Sequence, residues 1–285
     1  MSTEQLLHVN GIDICAEAFG DPADPALLLI GGAEASMDWW DDELCERLAA
    51  GGRRVIRYDT RDTGRSTTFP PGAPPYKGEA LLTDAVGVLD ALGIAAAHIV
   101  GISAGGGIAQ HLAAHHPDRV ITLTLMSTTP DGPGGPGGAE LPPPTEAVQR
   151  MFAEGGDEGP DWSDRESVIA HFMKGERAFS GAIPVDEDRI RRIVTRAFDR
   201  SPSMASAQNH WQLEGGESLG DGLAKITVPT LVLHGTEDPL FPYPHGEALA
   251  RAIPGARLVP LPGMGHQMPP PEVWDVVTTE ILRNT

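Results

Sequence analysis

Three residues, Ser103, Asp238 and His266, have the types and the surroundings that nucleophilic ester chemistry requires. Ser103 lies in Gly101-Ile102-Ser103-Ala104-Gly105, which matches Gly-x-Ser-x-Gly, with the apolar run HIVGI before the serine and a helical pattern after it. A serine on such a strand-to-helix turn has a strained backbone, and the flanking glycines let neighbouring segments approach it closely. The sequence therefore predicts Ser103 as a nucleophile.

A serine hydroxyl becomes reactive when a base removes its proton, and histidine is the usual base. Of ten histidines, His266 ends the loop GMGH directly after the apolar run ARLVPLP, at the sheet edge where ligands bind. We expect His266 to be the base. His234, in LVLHG, is interpreted as a half-buried residue at a strand end. His111 and His115 have the spacing of a metal pair, but no third ligand accompanies them, and no metal site is predicted.

A carboxylate must hold the histidine in the correct tautomer. Asp238, in LVLHGTEDPLFP, follows an apolar strand pattern closely and gives the chain order Ser, Asp, His. Asp238 is the predicted acid. Glu237, its neighbour, and Asp131, which follows another strand pattern, remain alternatives.

The elements around these residues predict an α/β fold. An alternating pattern over 6–19 turns at Asn10-Gly11, which predicts an antiparallel hairpin. Helical patterns, including 79–92 and 105–115, separate most of the later apolar runs, which is typical of a parallel sheet covered on both faces. These runs are Ala26 to Ile30, Arg54 to Tyr58, His98 to Ile102, Ile121 to Met126, Thr230 to Leu233 and Arg257 to Leu261.

A helical insertion is expected between the two halves of this sheet. The segment 131–145, DGPGGPGGAELPPPT, has the composition of a linker. Helical patterns then dominate at 146–154, 165–179, 186–200 and 203–213. We predict a core of residues 1–130 and 224–285 and a cap of residues 131–223.

Composition excludes several classes of function. The net charge of −19 disfavours nucleic acid and anionic membranes as partners, because phosphate binding depends on Lys and Arg. No apolar run is long enough to span a bilayer, and the first residues lack the pattern of a secretion signal, so the cytoplasm is the expected location. The two cysteines, Cys15 and Cys45, predict neither a disulfide framework nor zinc.

Several motifs together resemble the α/β-hydrolase family over about residues 10–130 and 225–275. They are Ile30-Gly31-Gly32, DTRDTGRS at 59–66, Gly101 to Gly105, Asp238 and Gly263 to His266. Within that family, FGDPADPALLL, RYDTRDTGRSTT, DPLFPYPHG and IPGMGHQMP look most similar to the aclacinomycin-type methylesterases, which remove a methyl ester from an anthracycline antibiotic. The resemblance implies an α/β-hydrolase fold with a mostly parallel eight-stranded sheet, flanking helices and a helical cap inserted after the sixth strand.

The resemblance also implies an oxyanion hole formed by the backbone N–H groups of Gly32 and Ala104. Ile30 replaces the histidine that is usual in the family, but the donors are backbone groups and should remain. Asp59 and Arg61 are expected to brace the loop under the site through hydrogen bonds and an ion pair. Residues expected to contact substrate come from the loop after Gly32 and from the cap: Glu34, Met37, Trp39, Phe172 and Trp211.

The sequence thus predicts a cofactor-free serine esterase, monomeric or homodimeric, that hydrolyses a small-molecule ester through an acyl-enzyme. The specific hypothesis is the methyl ester of a bulky, aromatic or polyketide-like molecule. Two alternatives share the same three residues: a cofactor-free perhydrolase or haloperoxidase, and a lactonase. A third alternative is a receptor with this fold that binds a small molecule without converting it to product.

Overall fold

The eight strands of the protein form one sheet in the computed structural model, which describes residues 4–131, 140–154, 159–214 and 218–285. The order across the sheet is β1-β2-β4-β3-β5-β6-β7-β8. Strands β3 to β8 run parallel, whereas β2 pairs antiparallel with both β1 and β4. The strands are β1 (Gln5–Val9), β2 (Ile12–Phe19), β3 (Ala26–Ile30), β4 (Arg54–Tyr58), β5 (Ala97–Ile102), β6 (Val120–Met126), β7 (Thr230–Gly235) and β8 (Arg257–Leu261).

The hairpin and all six later strands that the sequence predicts are confirmed, within one or two residues at their ends. The expected burial on both faces is wrong for β8, which lies at the edge of the sheet and has only Leu261 buried. Asn10 and Gly11 both have positive φ values at the hairpin turn, the backbone conformation that an Asn-Gly pair favours. The central strands β3 and β5 are buried along their entire length because helices cover both faces of the sheet.

Eight α-helices are present in the described residues. They are α1 (Asp42–Ala50), α2 (Glu79–Ala91), α3 (Ala104–His115), α4 (Glu146–Glu154), α5 (Arg165–Phe179), α6 (Glu187–Arg200), α7 (Pro244–Ala252) and α8 (Trp274–Asn284). Helices α2, α3 and α7 pack on one face of the sheet and α1 and α8 on the other, and each face has its own apolar core. None of the described helices is both long and apolar enough to cross a membrane.

Helices α4, α5 and α6 lie between β6 and β7 and begin and end within one residue of the predicted patterns. The fourth pattern, at 203–213, forms the 3-10 helix Met204–Gln212 and not an α-helix. Most of the Gly/Pro-rich linker, residues 132–139, lies outside the described residues, and the boundaries of the cap stay a prediction.

Helix α6 is joined to the core by ion pairs from three arginines, Arg189, Arg196 and Arg200, here called the α6 arginine face; Arg196 is the most exposed of the three. Arg200 pairs with Asp59 at 2.7 Å between Nη2 and Oδ2. Arg196 pairs with Asp38 at 2.8 Å, and Arg189 with Asp41. Such pairs are costly to break because the remaining partner stays buried and unpaired, so they fix α6 above the loop that follows β3.

Candidate active site

Ser103 occupies the strained turn that its motif predicts. Its φ of 52° and ψ of −121° lie outside the conformations that a non-glycine residue normally adopts. The turn is held on both sides: the Ser103 N–H donates to the Met126 carbonyl at 3.0 Å, and the Thr128 hydroxyl donates to the Ser103 carbonyl at 2.8 Å. The serine side chain therefore points out of the sheet edge and remains partly exposed.

Two glycines of the motif are required by close packing. A Cβ atom on Gly101 would lie 2.2 Å from the Gly105 carbonyl oxygen, and one on Gly105 would lie 2.4 Å from the carbonyl oxygens of Gly31 and Ile30. No real Cβ atom comes that close to backbone. The start of α3 thus lies directly against the end of β3, as the sequence predicts for this motif.

Ser103, His266 and Asp238 lie in one hydrogen-bonded row. His266 Nε2 is 2.9 Å from Ser103 Oγ, and His266 Nδ1 is 2.8 Å from Asp238 Oδ2. An ionised carboxylate can only accept a hydrogen bond, so it keeps the proton on Nδ1 and leaves Nε2 free to accept the serine proton. This is the arrangement of a nucleophile, a base and an orienting acid.

The Asp238 carboxylate is held in a fixed orientation. Its side chain is fully buried, and its Oδ1 accepts the N–H groups of Leu240 at 3.0 Å and Phe241 at 2.8 Å. The two alternative acids lie elsewhere: Glu237 is exposed, and Asp131 bonds His111 Nε2 at 2.8 Å. Of the three carboxylates, only Asp238 contacts His266.

Two other histidine expectations can be compared with the structure. His234 is completely buried, not half-buried, and its Nε2 donates to the Phe241 carbonyl at 2.7 Å. It thereby supports the turn that carries Asp238. His111 and His115 lie with ring centroids 5.5 Å apart, and within the described residues no group of three or more His, Cys, Asp or Glu side chains could hold a metal ion.

The end of α5 supports the loop of His266, a contact that the sequence did not reveal. The His266 N–H donates to the Phe179 carbonyl at 2.7 Å, and a Cβ on Gly265 would lie 2.2 Å from the same oxygen. The rings of Phe179 and Phe241 lie 5.9 and 5.2 Å from the imidazole. The position of the base therefore depends on the region between β6 and β7 as well as on the core.

The predicted oxyanion residues lie beside the nucleophile. A Cβ atom on Gly32 would be 3.9 Å from Ser103 Oγ, and Ala104 is the first residue of α3. Among the described residues, the N–H groups of Gly32 and Ala104 donate to no other group. Free N–H groups at a helix N-terminus favour negative charge.

Glu34 links the loop after Gly32 to the 3-10 helix Met204–Gln212. Its carboxylate accepts from Gln208 Nε2 at 2.7 Å and from Trp211 Nε1, and its N–H donates to His210 Nδ1 at 2.9 Å. Its φ is 62°, an uncommon value for a side-chain-bearing residue. Burial raises the pKa of the Glu34 carboxyl to about 7.

The other expected substrate contacts differ in their surroundings. Met37 has no accessible surface and packs in the core, so the structure does not place it at the wall of an open pocket. Trp39 and Phe172 contact each other with ring centroids 5.9 Å apart and ring planes tilted by 48°, and they join the loop to α5. Trp211 is 58% exposed and contacts Phe152, which is 49% exposed. An aromatic surface therefore borders the site.

Asp59 and Arg61 are hydrogen-bonded beneath the site, with partners that the sequence did not identify. Asp59 accepts the N–H of Met37 at 2.8 Å and pairs with Arg200. Arg61 makes a bidentate pair with Asp84, at 2.7 and 2.8 Å. Both residues support the loops around the site, and neither touches Ser103 or His266.

Comparison with known proteins places the fold among known families. Residues 27–279 match the model of the alpha/beta hydrolase family. The chain is 37% identical over 277 residues to rhodomycin D methylesterase DauP of Streptomyces sp. (strain C5), covering 93% of this chain and 92% of the relative. It is 36% identical, with the same coverage, to rhodomycin D methylesterase DnrP of Streptomyces peucetius. A hydrolase from Pseudomonas aeruginosa PA01 superposes with a TM-score of 0.73 at 26% identity, over 99% of this chain and 98% of that one.

Proposed function

The chain belongs to the alpha/beta hydrolase family, and we propose that it hydrolyses the methyl ester of a bulky aromatic small molecule with Ser103 as its nucleophile. The observation that carries this proposal is the hydrogen-bonded row Ser103, His266, Asp238 beside the free N–H groups of Gly32 and Ala104. The sequence predicts both the fold and the carboxylic ester hydrolase class. Family membership confirms the fold, and the relatives confirm the class.

In the first step, His266 Nε2 takes the Ser103 proton while Oγ attacks the ester carbonyl carbon. The carbonyl oxygen becomes negative and is stabilised by the N–H groups of Gly32 and Ala104. Asp238 stabilises the imidazolium that forms. His266 then gives its proton to the departing alkoxide, so methanol leaves and an acyl-enzyme remains.

In the second step, water replaces the alcohol. His266 takes a proton from water, whose oxygen attacks the acyl carbon, and the same two N–H groups stabilise the second oxyanion. The bond to Ser103 Oγ breaks, the serine regains its proton from His266, and the carboxylic acid is released.

Two observations support a bulky aromatic acid portion. The relatives at 37% and 36% identity are named for the methyl ester of rhodomycin D. Aromatic side chains also lie around the site from several elements, which suits an apolar ring system. These side chains are Trp39, Phe152, Phe172, Phe179 and Trp211.

The test compares wild-type protein with Ser103→Ala. We expect wild type to release methanol from methyl esters of polycyclic aromatic acids and to react covalently with a fluorophosphonate probe, and the variant to do neither. Turnover retained by Ser103→Ala would contradict the nucleophile. If wild type hydrolyses short p-nitrophenyl esters at least as fast as polycyclic methyl esters, the substrate assignment is wrong.

The alternatives give different products in the same preparation. A perhydrolase or haloperoxidase would brominate a phenol when hydrogen peroxide, a carboxylic acid and bromide are supplied, because the peracid that forms oxidises bromide. A lactonase would open a lactone faster than it cleaves a methyl ester. A receptor would give a calorimetric binding signal without product. The cytoplasmic location and the monomeric or homodimeric state also stay predictions.

A further inference from the structure

Glu176 is an ionisable residue on the apolar face of α5. Residues i, i+4 and i+7 of a helix share one face, so Phe172, Glu176 and Phe179 form one stripe. Phe172 contacts Trp39, and Phe179 contacts the His266 ring. Glu176 therefore shares a helix face with two rings that border the candidate active site.

The surroundings of Glu176 are apolar on its other side as well. Ile169 and Met173, on the adjoining stripe of α5, are buried and belong to the core cluster shared with α6. Burial raises the pKa of the Glu176 carboxyl to about 7. A polar group in such a place normally has a bonded partner.

Glu176 has no such partner among the described residues: its carboxyl takes part in no hydrogen bond and no ion pair there. Arg189 is the nearby positive charge that acts on it, but the guanidinium is already bonded to Asp41 and to the Pro269 carbonyl. The contrast is Asp84, which is buried with Arg61 as a bidentate partner. Glu176 is half-buried and not fully enclosed, so its carboxyl keeps hydrogen-bonding capacity that a bound molecule can reach.

We propose that Glu176 is a specificity-determining residue that hydrogen-bonds a hydroxyl group on the acid portion of the substrate. A hydroxyl both donates and accepts, so it pairs with the carboxyl in either protonation state. The inference rests on the proposed function, because a methyl ester has a small leaving group and everything to be recognised lies on its acid portion.

The experiment measures kcat/KM for methyl 2-naphthoate and for its 5-, 6- and 7-hydroxy derivatives. In wild type we expect at least one hydroxy ester to be preferred over the parent by about fivefold to tenfold, the effect of one hydrogen bond. Glu176→Leu should abolish that preference, and Glu176→Gln, which can still donate and accept, should retain part of it. Turnover of p-nitrophenyl butyrate should stay within about twofold in both variants.

The matched control is Glu166→Leu, on the same helix but exposed and paired with Arg191. It should leave the hydroxy preference unchanged. Glu176→Leu should not lower the temperature of unfolding relative to wild type, because it breaks no hydrogen bond or ion pair among the described residues and adds an apolar side chain. A residue that merely supports the fold would instead lower that temperature when changed.

The outcomes separate the two proposals. No preference in wild type, a preference that survives Glu176→Leu, or an equal loss on every ester overturns the role of Glu176. Failure of wild type to hydrolyse any of these esters overturns the proposed function instead. If Glu176→Leu does not fold, Glu176→Gln and the wild-type ratios still decide.

Discussion

The strand-end edge of the core and the helices above it are built on different principles. At the core edge, Ser103, Asp238 and His266 are fixed by backbone contacts: a positive φ, glycines packed against carbonyl oxygens, and N–H groups bound to a buried carboxylate. Above it, α5 and α6 are held by side chains, through apolar contacts and the α6 arginine face.

This difference indicates how reaction and selectivity are divided. Backbone contacts tolerate almost no substitution, which suits atoms that must stay within hydrogen-bond distance of each other. Side-chain contacts can be exchanged without moving the sheet. On the proposed function, substitutions in the region of Phe172, Glu176 and Trp211 should change the preferred substrate while the chemistry of the core edge is kept.

The largest expected effect is at the core edge. Asp238→Asn should lower kcat by about 10³-fold to 10⁴-fold, because an amide that donates to His266 Nδ1 selects the wrong tautomer. Circular dichroism should show an unchanged fold. Glu237→Gln and Asp131→Asn are the controls and should retain wild-type activity. A comparable loss of activity in either control would show that Asp238 is not the orienting acid.

The second effect tests the α6 arginine face. Arg200→Met should destabilise the protein by about 3–5 kcal/mol in urea unfolding, because Asp59 stays buried without its arginine and Asp38 keeps only Arg196. The control is Arg191→Met, on the same helix α6, which removes an exposed ion pair with Glu166 of α5. It should lower the free energy of unfolding by about 0–1 kcal/mol. Equal losses in the two variants would show that burial does not distinguish these pairs.

The smallest effect concerns Glu34, at the contact between the two regions. Its pKa is raised from 4.5 to about 7, so the folded state binds a proton that the unfolded state has lost between these values. Stability should therefore fall as pH rises from about 4.5 to 7. Glu34→Gln should show a smaller fall over that range, measured as urea midpoints. A wild-type slope retained by the variant would contradict this origin.

The sequence was informative where one local pattern has one structural outcome. Gly-x-Ser-x-Gly after a buried strand predicted the turn at Ser103, and Asn10-Gly11 predicted the hairpin. It was less informative where partners come from distant segments. Asp59 and Arg61 were correctly expected beneath the site, but their partners Arg200 and Asp84 lie far along the chain, and no local pattern identifies such pairs.

The helices between β6 and β7 show the same limit. Their boundaries followed from periodicity, whereas the 3-10 geometry of Met204–Gln212 did not, because helical spacing does not separate the two helix types over a short segment. Met37 illustrates a further case: its position after Gly32 pointed to substrate, but only packing placed it in the core.

By itself the sequence determined the fold class, the serine on its strained turn, and a histidine and an aspartate at strand ends, because these depend on residue type and spacing along the chain. Three-dimensional packing was needed to show which carboxylate meets His266, that the Phe179 carbonyl holds the histidine loop, and that the rings on the Glu176 face of α5 lie beside the site. Those outcomes depend on which segments meet in space, and segments far apart in the chain are brought together by packing of the whole molecule.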